Sequence, residues 1–530
     1  MFRLPGHGRR IGLFLALTPT LLLLEMVLYR ALYADRATAD RAAADRATFV
    51  PPNGSVVTYQ DWGSLAHVHP PPIAACPPAP ASGRILFIVK TGATEAAARL
   101  PTHLATDLAC VDQTRDVLFF SDLAESFASL PVHDALAGLV DDDADDDDDN
   151  DDFALYRAQQ ACARQPTPVL QRACRRARRP LVDDAQERAE AWALDKYKFV
   201  RIAVASWRLR HAADHDWFVF LDADTYLSVP TLATWLARLD PRARHFLGQR
   251  MRLGPYVRER LVTFAYGGSG YVLSRALLAE LADGPRGDAW VRAWDARAAD
   301  KSQCCGDILL ADAVRDASAV RVRDAWPLLS GRPPRAVAFG PDAWCTPVGS
   351  LHHVAPDEFA ALHAFERAWG AAQAAAALSR PPSPPPLLFR DLFLAYFPPE
   401  DTRFLYQGDG VRHAWTTPCD ETWPWWAGRA PASVDACRDR CLRSAACYMW
   451  QFAADGHCTW STAFSVGSPA PAPATVSGWD VAKIGRLMAD FADCAEGVMR
   501  WPDVPGQRPA PAHTIETHPS WDSVADWVWW

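Results

Sequence analysis

The stretch WFVFLDADTY, residues 217–226, joins a five-residue apolar run to the triplet Asp222-Ala223-Asp224. A short apolar run of this kind predicts a buried strand of an α/β sheet. Ligands of such sheets bind beyond the carboxyl ends of the strands, so we expect Asp222 and Asp224 at a ligand site. Two carboxylates that flank one residue can share a hard cation, which in turn can neutralise a diphosphate leaving group.

Apolar patterning upstream of this stretch predicts a strand-helix-strand unit. Residues 84–89 have the composition of a buried strand, residues 95–108 that of an Ala-rich helix, and residues 116–120 that of a second strand. A longer helix is predicted from about residue 184 to residue 210. Alternation of helices and strands continues to about residue 370. The sequence therefore predicts an α/β, Rossmann-like domain over residues 84–370.

Three further segments carry residues suited to a binding site. Residues 266–271, YGGSGY, are rich in glycine, which lets the backbone approach a ligand closely. Asp307 follows Cys304-Cys305-Gly306 at the predicted start of a helix, and His352-His353 lies near the end of the domain. Each has an ordinary explanation when taken alone: a turn, a helix N-cap and a partly buried histidine pair. Their order along the chain is what favours a functional site.

In that order the motifs resemble the inverting family 31 glycosyltransferases, which include Fringe and the core 1 β1,3-galactosyltransferase. The fungal-type members are the most similar, and the resemblance covers residues 84–370. It implies a GT-A fold, a UDP-sugar donor, a Mn²⁺ ion and a glycan or glycoprotein acceptor. It also implies transfer of a hexose or N-acetylhexosamine in a β1,3 linkage, with inversion at the anomeric carbon.

The resemblance assigns roles to individual residues. Asp224 and His352 match the family's metal ligands, with Asp222 as a further ligand and His353 as the fallback for His352. Asp307 matches the general base. The residues implied at the nucleotide are Lys90, Thr91, Asp222, Asp224, Gly267 and Gly268. Ala223 departs from the family pattern, because the family has a third acid at that position.

The N-terminus predicts a membrane anchor. Residues 11–29 are an apolar run close to the roughly 20 residues that a helix needs to cross a bilayer. Arg3, Arg9 and Arg10 precede it and favour a cytoplasmic N-terminus. We expect a tail at 1–10, an anchor at 11–29 and a stem at 30–83, in a single-pass type II Golgi membrane protein with a luminal catalytic domain. A cleaved signal peptide is the alternative.

Charge and cysteine content exclude some classes of partner. The chain has 530 residues and a net charge of −9, and one acidic run, residues 141–152, accounts for that excess. We expect this run to be a solvated surface insertion, and no nucleic-acid partner is indicated. The thirteen cysteines include no two CxxC clusters, so disulfides are favoured over a structural zinc site.

The region after residue 370 has a different composition. A proline-rich break indicates a linker at 371–410, followed by a cysteine-rich domain at 411–500 and a tail at 501–530. Spacing leaves fifteen pairings open to the six cysteines of this region. The domain resembles PAN/Apple modules, small α+β domains in which disulfides staple a helix to a sheet. That resemblance implies the pairs Cys419–Cys494, Cys437–Cys458 and Cys441–Cys447.

Two functions remain open at this point. The first is the UDP-sugar-dependent enzyme. The second is a catalytically inactive, membrane-tethered glycan- or protein-binding protein that uses the PAN/Apple-like domain, an alternative that the missing acid at Ala223 supports. PAN modules bind proteins or glycans, but this one could equally serve only to pack against the catalytic domain. A homodimer is left open.

Overall fold

The fold is that of a computed structural model of the chain. The described residues are 48–49, 57–58, 85–140, 151–165, 167–169, 185–210, 215–253, 262–376, 386–405, 408–419, 421–422, 430–491, 494 and 499–502. None of the helices in these ranges is both long enough and apolar enough to cross a membrane. The predicted anchor at 11–29 and most of the acidic run lie outside the described residues.

The chain divides into two compact units, residues 1–68 with 161–190 and residues 69–160 with 191–530. In the first unit, a short antiparallel pair joins Thr48–Phe49 to Val57–Thr58. The strands up to residue 351 are β1 (Thr48–Phe49), β2 (Val57–Thr58), β3 (Ile85–Lys90), β4 (Val117–Ser121), β5 (Glu125–Phe127), β6 (Leu130–Asp134), β7 (Trp217–Asp222), β8 (Tyr226–Leu227), β9 (Phe246–Gly248), β10 (Arg250–Leu253), β11 (Val262–Ala265), β12 (Tyr271–Ser274), β13 (Arg323–Asp324) and β14 (Ser350–Leu351).

The second unit is built on a mixed eight-stranded sheet in the order β13-β9-β12-β7-β3-β4-β6-β5. At its centre β3 pairs in parallel with β4 and β7, and β12 runs antiparallel to β7 and β9. This mixed α/β sheet is compatible with a GT-A-like fold. Two small antiparallel pairs, β8 with β14 and β10 with β11, lie outside the large sheet.

Helices accompany the sheet along the chain. The helices up to residue 402 are α1 (Ala93–Ala105), α2 (Gln113–Asp116), α3 (Ala154–Ala163), α4 (Ala185–Arg210), α5 (Val229–Leu236), α6 (Arg275–Ala282), α7 (Gly284–Ala298), α8 (Gly306–Ser318), α9 (Pro356–Ala376), α10 (Phe389–Asp391) and α11 (Pro399–Thr402). The strands predicted at 84–89, 116–120 and 217–221 and the helices predicted at 95–108 and 184–210 are confirmed, with shifts of a few residues at their ends.

The central strands are buried on both faces, which explains their continuous apolar runs. Because neighbouring side chains in a strand point to opposite faces, Leu86 and Ile88 enter one apolar core while Phe87 and Val89 enter another. Complete burial of each such side chain stabilises the fold by about 1.5–3 kcal/mol. Partial exposure is confined to the last residue of each strand in β3 and β7, namely Lys90 and Asp222.

The C-terminal region forms an antiparallel five-stranded sheet in the order β15-β21-β18-β19-β17. Its elements are β15 (Val411–His413), β16 (Trp415–Thr416), β17 (Glu421–Thr422), α12 (Val434–Arg443), β18 (Met449–Phe452), β19 (Cys458–Ser461), β20 (Ser468–Pro469), β21 (Val476–Trp479) and α13 (Val481–Asp490). The Ser433 hydroxyl accepts a hydrogen bond from Ala436 N–H and caps α12.

The disulfides confirm two of the three pairs that the PAN/Apple resemblance implied. Cys437 is bonded to Cys458 and Cys441 to Cys447, which fastens α12 next to β18 and β19. The third pair is wrong, because Cys494 is bonded to Cys345 rather than to Cys419. The reason is that the chain after α13 returns to the segment around Cys345, where Arg500 N–H also donates to the Cys345 carbonyl.

A third apolar core contains side chains from both sides of the predicted linker. Leu387, Phe389, Phe393 and Leu405, which belong to the predicted linker 371–410, are buried in it. The described part of this segment is therefore packed into the third apolar core rather than extended. Its buried apolar side chains begin directly after the prolines. The same core also receives Phe464 and Trp479 of the C-terminal sheet.

We predict that the Cys345–Cys494 disulfide contributes more stability than the Cys441–Cys447 disulfide. The two bonds close stretches of 149 and 6 residues, and a longer closed loop restricts the unfolded chain more. Replacing the first pair by serine should lower the free energy of unfolding by about 4–5 kcal/mol, against about 2 kcal/mol for the second. Chemical unfolding of the two double-serine variants measures this.

Peptide mapping without reduction is the accompanying control. It should recover the peptide with Cys494 linked to the peptide with Cys345. Recovery of Cys494 linked to Cys419, or equal losses of stability in the two variants, would contradict the prediction.

Candidate functional site

The carboxyl end of β7 carries Asp222, whose carboxylate pairs with a lysine from the neighbouring strand. Lys90 Nζ lies 3.1 Å from Asp222 Oδ1 and 2.6 Å from Asp195 Oδ1 on α4. Burial alone would lower the pKa of Lys90, but the two carboxylates outweigh it and raise that pKa. Lys90 therefore stays charged and ties β3, β7 and α4 together at the edge of the sheet.

A possible metal site lies two residues further along. Within the described part of the chain, the side chains that could share one metal ion are those of Asp224, His352 and His353, whose ligand atoms lie within 4.8 Å of one another. Asp224 Oδ1 is 3.2 Å from His352 Nε2, and Asp224 Oδ2 is 3.2 Å from His353 Nδ1. Burial would raise the pKa of Asp224, but the two histidines and Arg99 hold it well below its usual range.

Backbone geometry explains why adjacent histidines face the same carboxylate. His353 adopts φ of +54°, in the left-handed region that non-glycine residues rarely occupy. The two imidazole rings consequently lie with their centroids 3.7 Å apart. His353 Nε2 is buried and finds no hydrogen-bond partner among the described residues, so a ring nitrogen of this residue remains available to a ligand. These features fit a group that binds imidazole nitrogen.

The glycine-rich segment makes room for one of these rings. A Cβ at Gly268 would lie 2.2 Å from His352 Cε1, so the ring occupies the space that any other side chain would need. Tyr266 Oη lies 3.4 Å from His352 Nδ1. A hydrogen bond at Nδ1 leaves Nε2 of His352 directed at Asp224, the arrangement that orients metal-binding histidines.

Asp307 lies in the first turn of α8, next to the glycine-rich segment. Gly267 N–H donates to Asp307 Oδ2 at 3.1 Å, and Ile308 N–H donates to Oδ1 at 2.8 Å. The N-cap of α8 is Cys305, so Asp307 is not simply the cap of its helix. Burial, reinforced by the charges of Asp195 and Asp222, raises the pKa of Asp307 to about 6 although the two N–H groups oppose the shift.

The remaining nucleotide-site predictions lie close by. Thr91 is buried at the end of β3, where its carbonyl accepts a hydrogen bond from Lys198 Nζ at 3.1 Å. A Cβ at Gly267 would lie 3.0 Å from the ring of Phe199, over which Lys90 Nζ is placed. The structure thus brings the predicted residues to one edge of the sheet. Asp222, predicted as a metal ligand, pairs with Lys90 and is not part of the three-residue cluster.

The departure at Ala223 has a structural explanation. Its side chain is buried in the core that contains Leu221 and Val89. Its carbonyl accepts a hydrogen bond from His103 Nε2 at 3.1 Å, and His103 Nδ1 lies 3.0 Å from both carboxylate oxygens of Asp107. Position 223 contributes packing and a backbone contact here.

Sequence reasoning missed residues that support the site. These are Asp195, which pairs with Lys90; Arg99, whose Nη1 is 3.9 Å from Asp224 Oδ2; and the buried pair of His103 and Asp107. The i, i+4 spacing of His103 in the last turn of α1 and Asp107 just after its end was visible in the sequence. Asp195 had none, because its partner is 105 residues away in the chain.

Comparison with known proteins gives two partial matches. A family profile described as Fringe-like matches residues 189–317, which include Asp222, Asp224, Gly268 and Asp307. A curated relative, the chondroitin sulfate glucuronyltransferase of Homo sapiens, is 38% identical over 89 residues. That match covers 15% of this chain and 11% of the relative. Together the two likenesses support a glycosyltransferase of the family 31 type.

We predict that Gly268→Ala lowers the affinity for divalent transition metals. The added methyl group would displace the His352 ring from Asp224, and a disturbed ligand orientation typically costs roughly 10–100-fold in metal affinity. Titration of Mn²⁺, followed by the electron paramagnetic resonance signal of the free ion, measures it. The matched control is Gly370→Ala in α9, where, among the described residues outside the backbone of α9, no atom lies within 4 Å of the added Cβ. Equal affinities in the two variants would count against His352 as a ligand.

Proposed function

We propose that this chain is a metal-dependent glycosyltransferase that moves a sugar from a UDP-sugar to a hydroxyl group of a glycan or glycoprotein. One observation carries the proposal: a carboxylate and two imidazoles face one another at the edge where Asp307, a buried carboxylate of raised pKa, is also found. Such a pairing of a metal site with a separate base suits the transfer of a group from a diphosphate.

The donor set of Asp224, His352 and His353 would hold the metal. Imidazole nitrogens suit transition metals, and the Asp224 carboxylate is the kind of ligand that Mn²⁺ prefers. The choice of Mn²⁺ among these metals comes from the family resemblance. When bound, the ion would supply positive charge for the diphosphate of the donor. Lys90, Thr91 and the glycine-rich segment lie at the same edge of the sheet, where ligands of α/β folds bind.

Asp307 would act as the general base. Its carboxylate accepts the proton of the acceptor hydroxyl while that oxygen bonds to the anomeric carbon and the bond from that carbon to the diphosphate breaks. Attack from the face opposite the leaving group inverts the anomeric configuration. An α-linked donor then gives a β-linked product, and a β1,3 linkage is part of the proposal by resemblance.

The donor sugar and the cellular location extend the proposal. A hexose or N-acetylhexosamine follows from the family resemblance, and UDP-glucuronic acid joins the donors to be tested because the relative is named a glucuronyltransferase. A Golgi location with a luminal catalytic domain follows from the predicted anchor at 11–29. The inactive binding protein depended on Ala223, whose side chain packs in the core and leaves Asp224, His352 and His353 in place.

We predict that the full chain binds UDP only with Mn²⁺, and that Asp224→Ala weakens this binding by more than roughly tenfold. Loss of Asp224 removes the carboxylate that both histidines face. Calorimetry with UDP, with and without Mn²⁺, measures the effect. Asp316→Ala is the control, since that carboxylate is exposed on α8 and pairs with Arg315. A folded chain that does not bind UDP in the presence of Mn²⁺ would contradict the proposal that the protein is an enzyme.

We predict that transfer activity rises with pH through about 6 and then levels off. Asp307 has its pKa raised to about 6, and only its ionised form can accept the proton of the acceptor. Initial rates measured at saturating Mn²⁺ separate this step from protonation of the metal-binding histidines. Asp307→Asn should abolish transfer while UDP binding with Mn²⁺ stays within about twofold of wild type. Full activity of this variant would exclude Asp307 as the base.

A further inference from the structure

The segment 335–339 joins the C-terminal region to the catalytic fold through backbone hydrogen bonds. Phe339 N–H donates to the Phe464 carbonyl at 2.7 Å, and Phe464 N–H donates to the Phe339 carbonyl at 2.8 Å. Gly467 N–H donates to the Arg335 carbonyl at 2.9 Å, and Arg335 Nε donates to the Gly467 carbonyl at 2.8 Å. Residues 464–467 are thus hydrogen-bonded alongside residues 335–339.

The stretch just before this segment supports the histidine pair. His352 N–H donates to the Arg332 carbonyl at 3.2 Å, and Ser350 N–H donates to the Leu328 carbonyl at 3.1 Å. Val354 N–H in turn donates to the Asp224 carbonyl at 3.0 Å. Residues 328–339 therefore lie between the C-terminal edge and the backbone that carries His352 and His353. A shift of this stretch would move the metal-site histidines relative to Asp224.

Side-chain packing couples the same parts. Tyr226, Leu351 and Val354, which lie within two residues of the metal-site side chains, belong to one apolar core with Phe464 and Trp479. The Phe464 ring is fully buried, and its centroid lies 5.8 Å from that of Phe339, 6.2 Å from that of Trp344 and 5.4 Å from that of Phe393. Close-packed interiors transmit displacements, so this core leaves the C-terminal region little freedom to move independently.

We propose that the C-terminal region is a positioning element of the metal site, and that Phe464 and Arg335 are the positioning residues. Phe464 fixes the segment 335–339 by packing and pairing. Arg335 fixes it by reaching Gly467 and, through Nη1 at 2.9 Å, Asp401. The metal readout of this inference depends on the proposed function, whereas the coupling between the two regions does not.

The experiment compares Phe464→Leu and Arg335→Ala with Trp450→Phe in the full chain. Trp450 is equally buried in the C-terminal region, but it belongs to a separate core with Cys437, Cys441, Cys447 and Val476. Mn²⁺ affinity is measured for each variant at the same interval below its own unfolding temperature. Hydrogen exchange at the His352 and Val354 amides is the second readout, since both donate the bonds that locate the histidines.

We expect Phe464→Leu and Arg335→Ala to weaken Mn²⁺ binding roughly tenfold and to speed exchange at the two amides, with Trp450→Phe close to wild type. If Phe464→Leu fails to fold, the Arg335→Ala variant provides the test, because Arg335 is partly exposed. Wild-type affinity and exchange in the positioning variants would overturn the inference. Equal weakening by Trp450→Phe would also overturn it, because general destabilisation would then explain the effect. If wild type binds no Mn²⁺, the proposed function fails, and exchange alone decides the coupling.

Discussion

The loop from Asp222 to Ser228 is held in place by buried hydrogen bonds of its backbone and side chains, and the rest of the candidate site depends on this constraint. Successive loop residues are tied to different parts of the fold. The groups that hold the loop belong to Lys90, His103, Asp107, Gly268, Gly349, Val354 and Glu366. Leaving a buried polar group without a partner lowers the stability of the fold by about 1–3 kcal/mol, so each of these hydrogen bonds is unfavourable to break. The loop can therefore present Asp224 in one position, which a metal site requires.

Hydrogen bonds of this loop also connect it to the helix α9. The Glu366 carboxylate on α9 accepts hydrogen bonds from both Tyr226 Oη and Ser228 Oγ, which joins the helix after the histidine pair to the loop after Asp224. Burial raises the pKa of Glu366, while these two hydroxyl donors favour its ionised form. Asp224 and the histidine pair belong to segments more than 120 residues apart in the chain. The packing between those segments therefore fixes the distance between the Asp224 carboxylate and the two imidazole rings.

The sequence was informative where local patterns dominate. Apolar runs located β3, β4 and β7, because strands buried on both faces must be continuously apolar. Family resemblance found Asp224 and Asp307, but it ranked His353 only as a fallback, since its left-handed backbone cannot be read from composition. The pairing of Cys345 with Cys494 was missed for a related reason: contacts between residues 149 apart are decided by tertiary packing. Position 223 illustrates the same limit, since only the fold shows that its side chain lies in a core.

The distribution of charges at the edge of the sheet explains why the pKa values of Asp224 and Asp307 are shifted in opposite directions. The charges of Asp195 and Asp222 act on Asp307, and Lys90 forms ion pairs with both of these aspartates. In the described part of the chain no cation pairs with Asp307; two backbone N–H groups donate to it instead, and they stabilise its charge less than a buried ammonium would. Its pKa is therefore raised while Asp224, beside two histidines, has a lowered one. Two carboxylates with opposite pKa shifts suit the proposed division of roles, in which Asp224 would bind the metal and Asp307 would accept the proton.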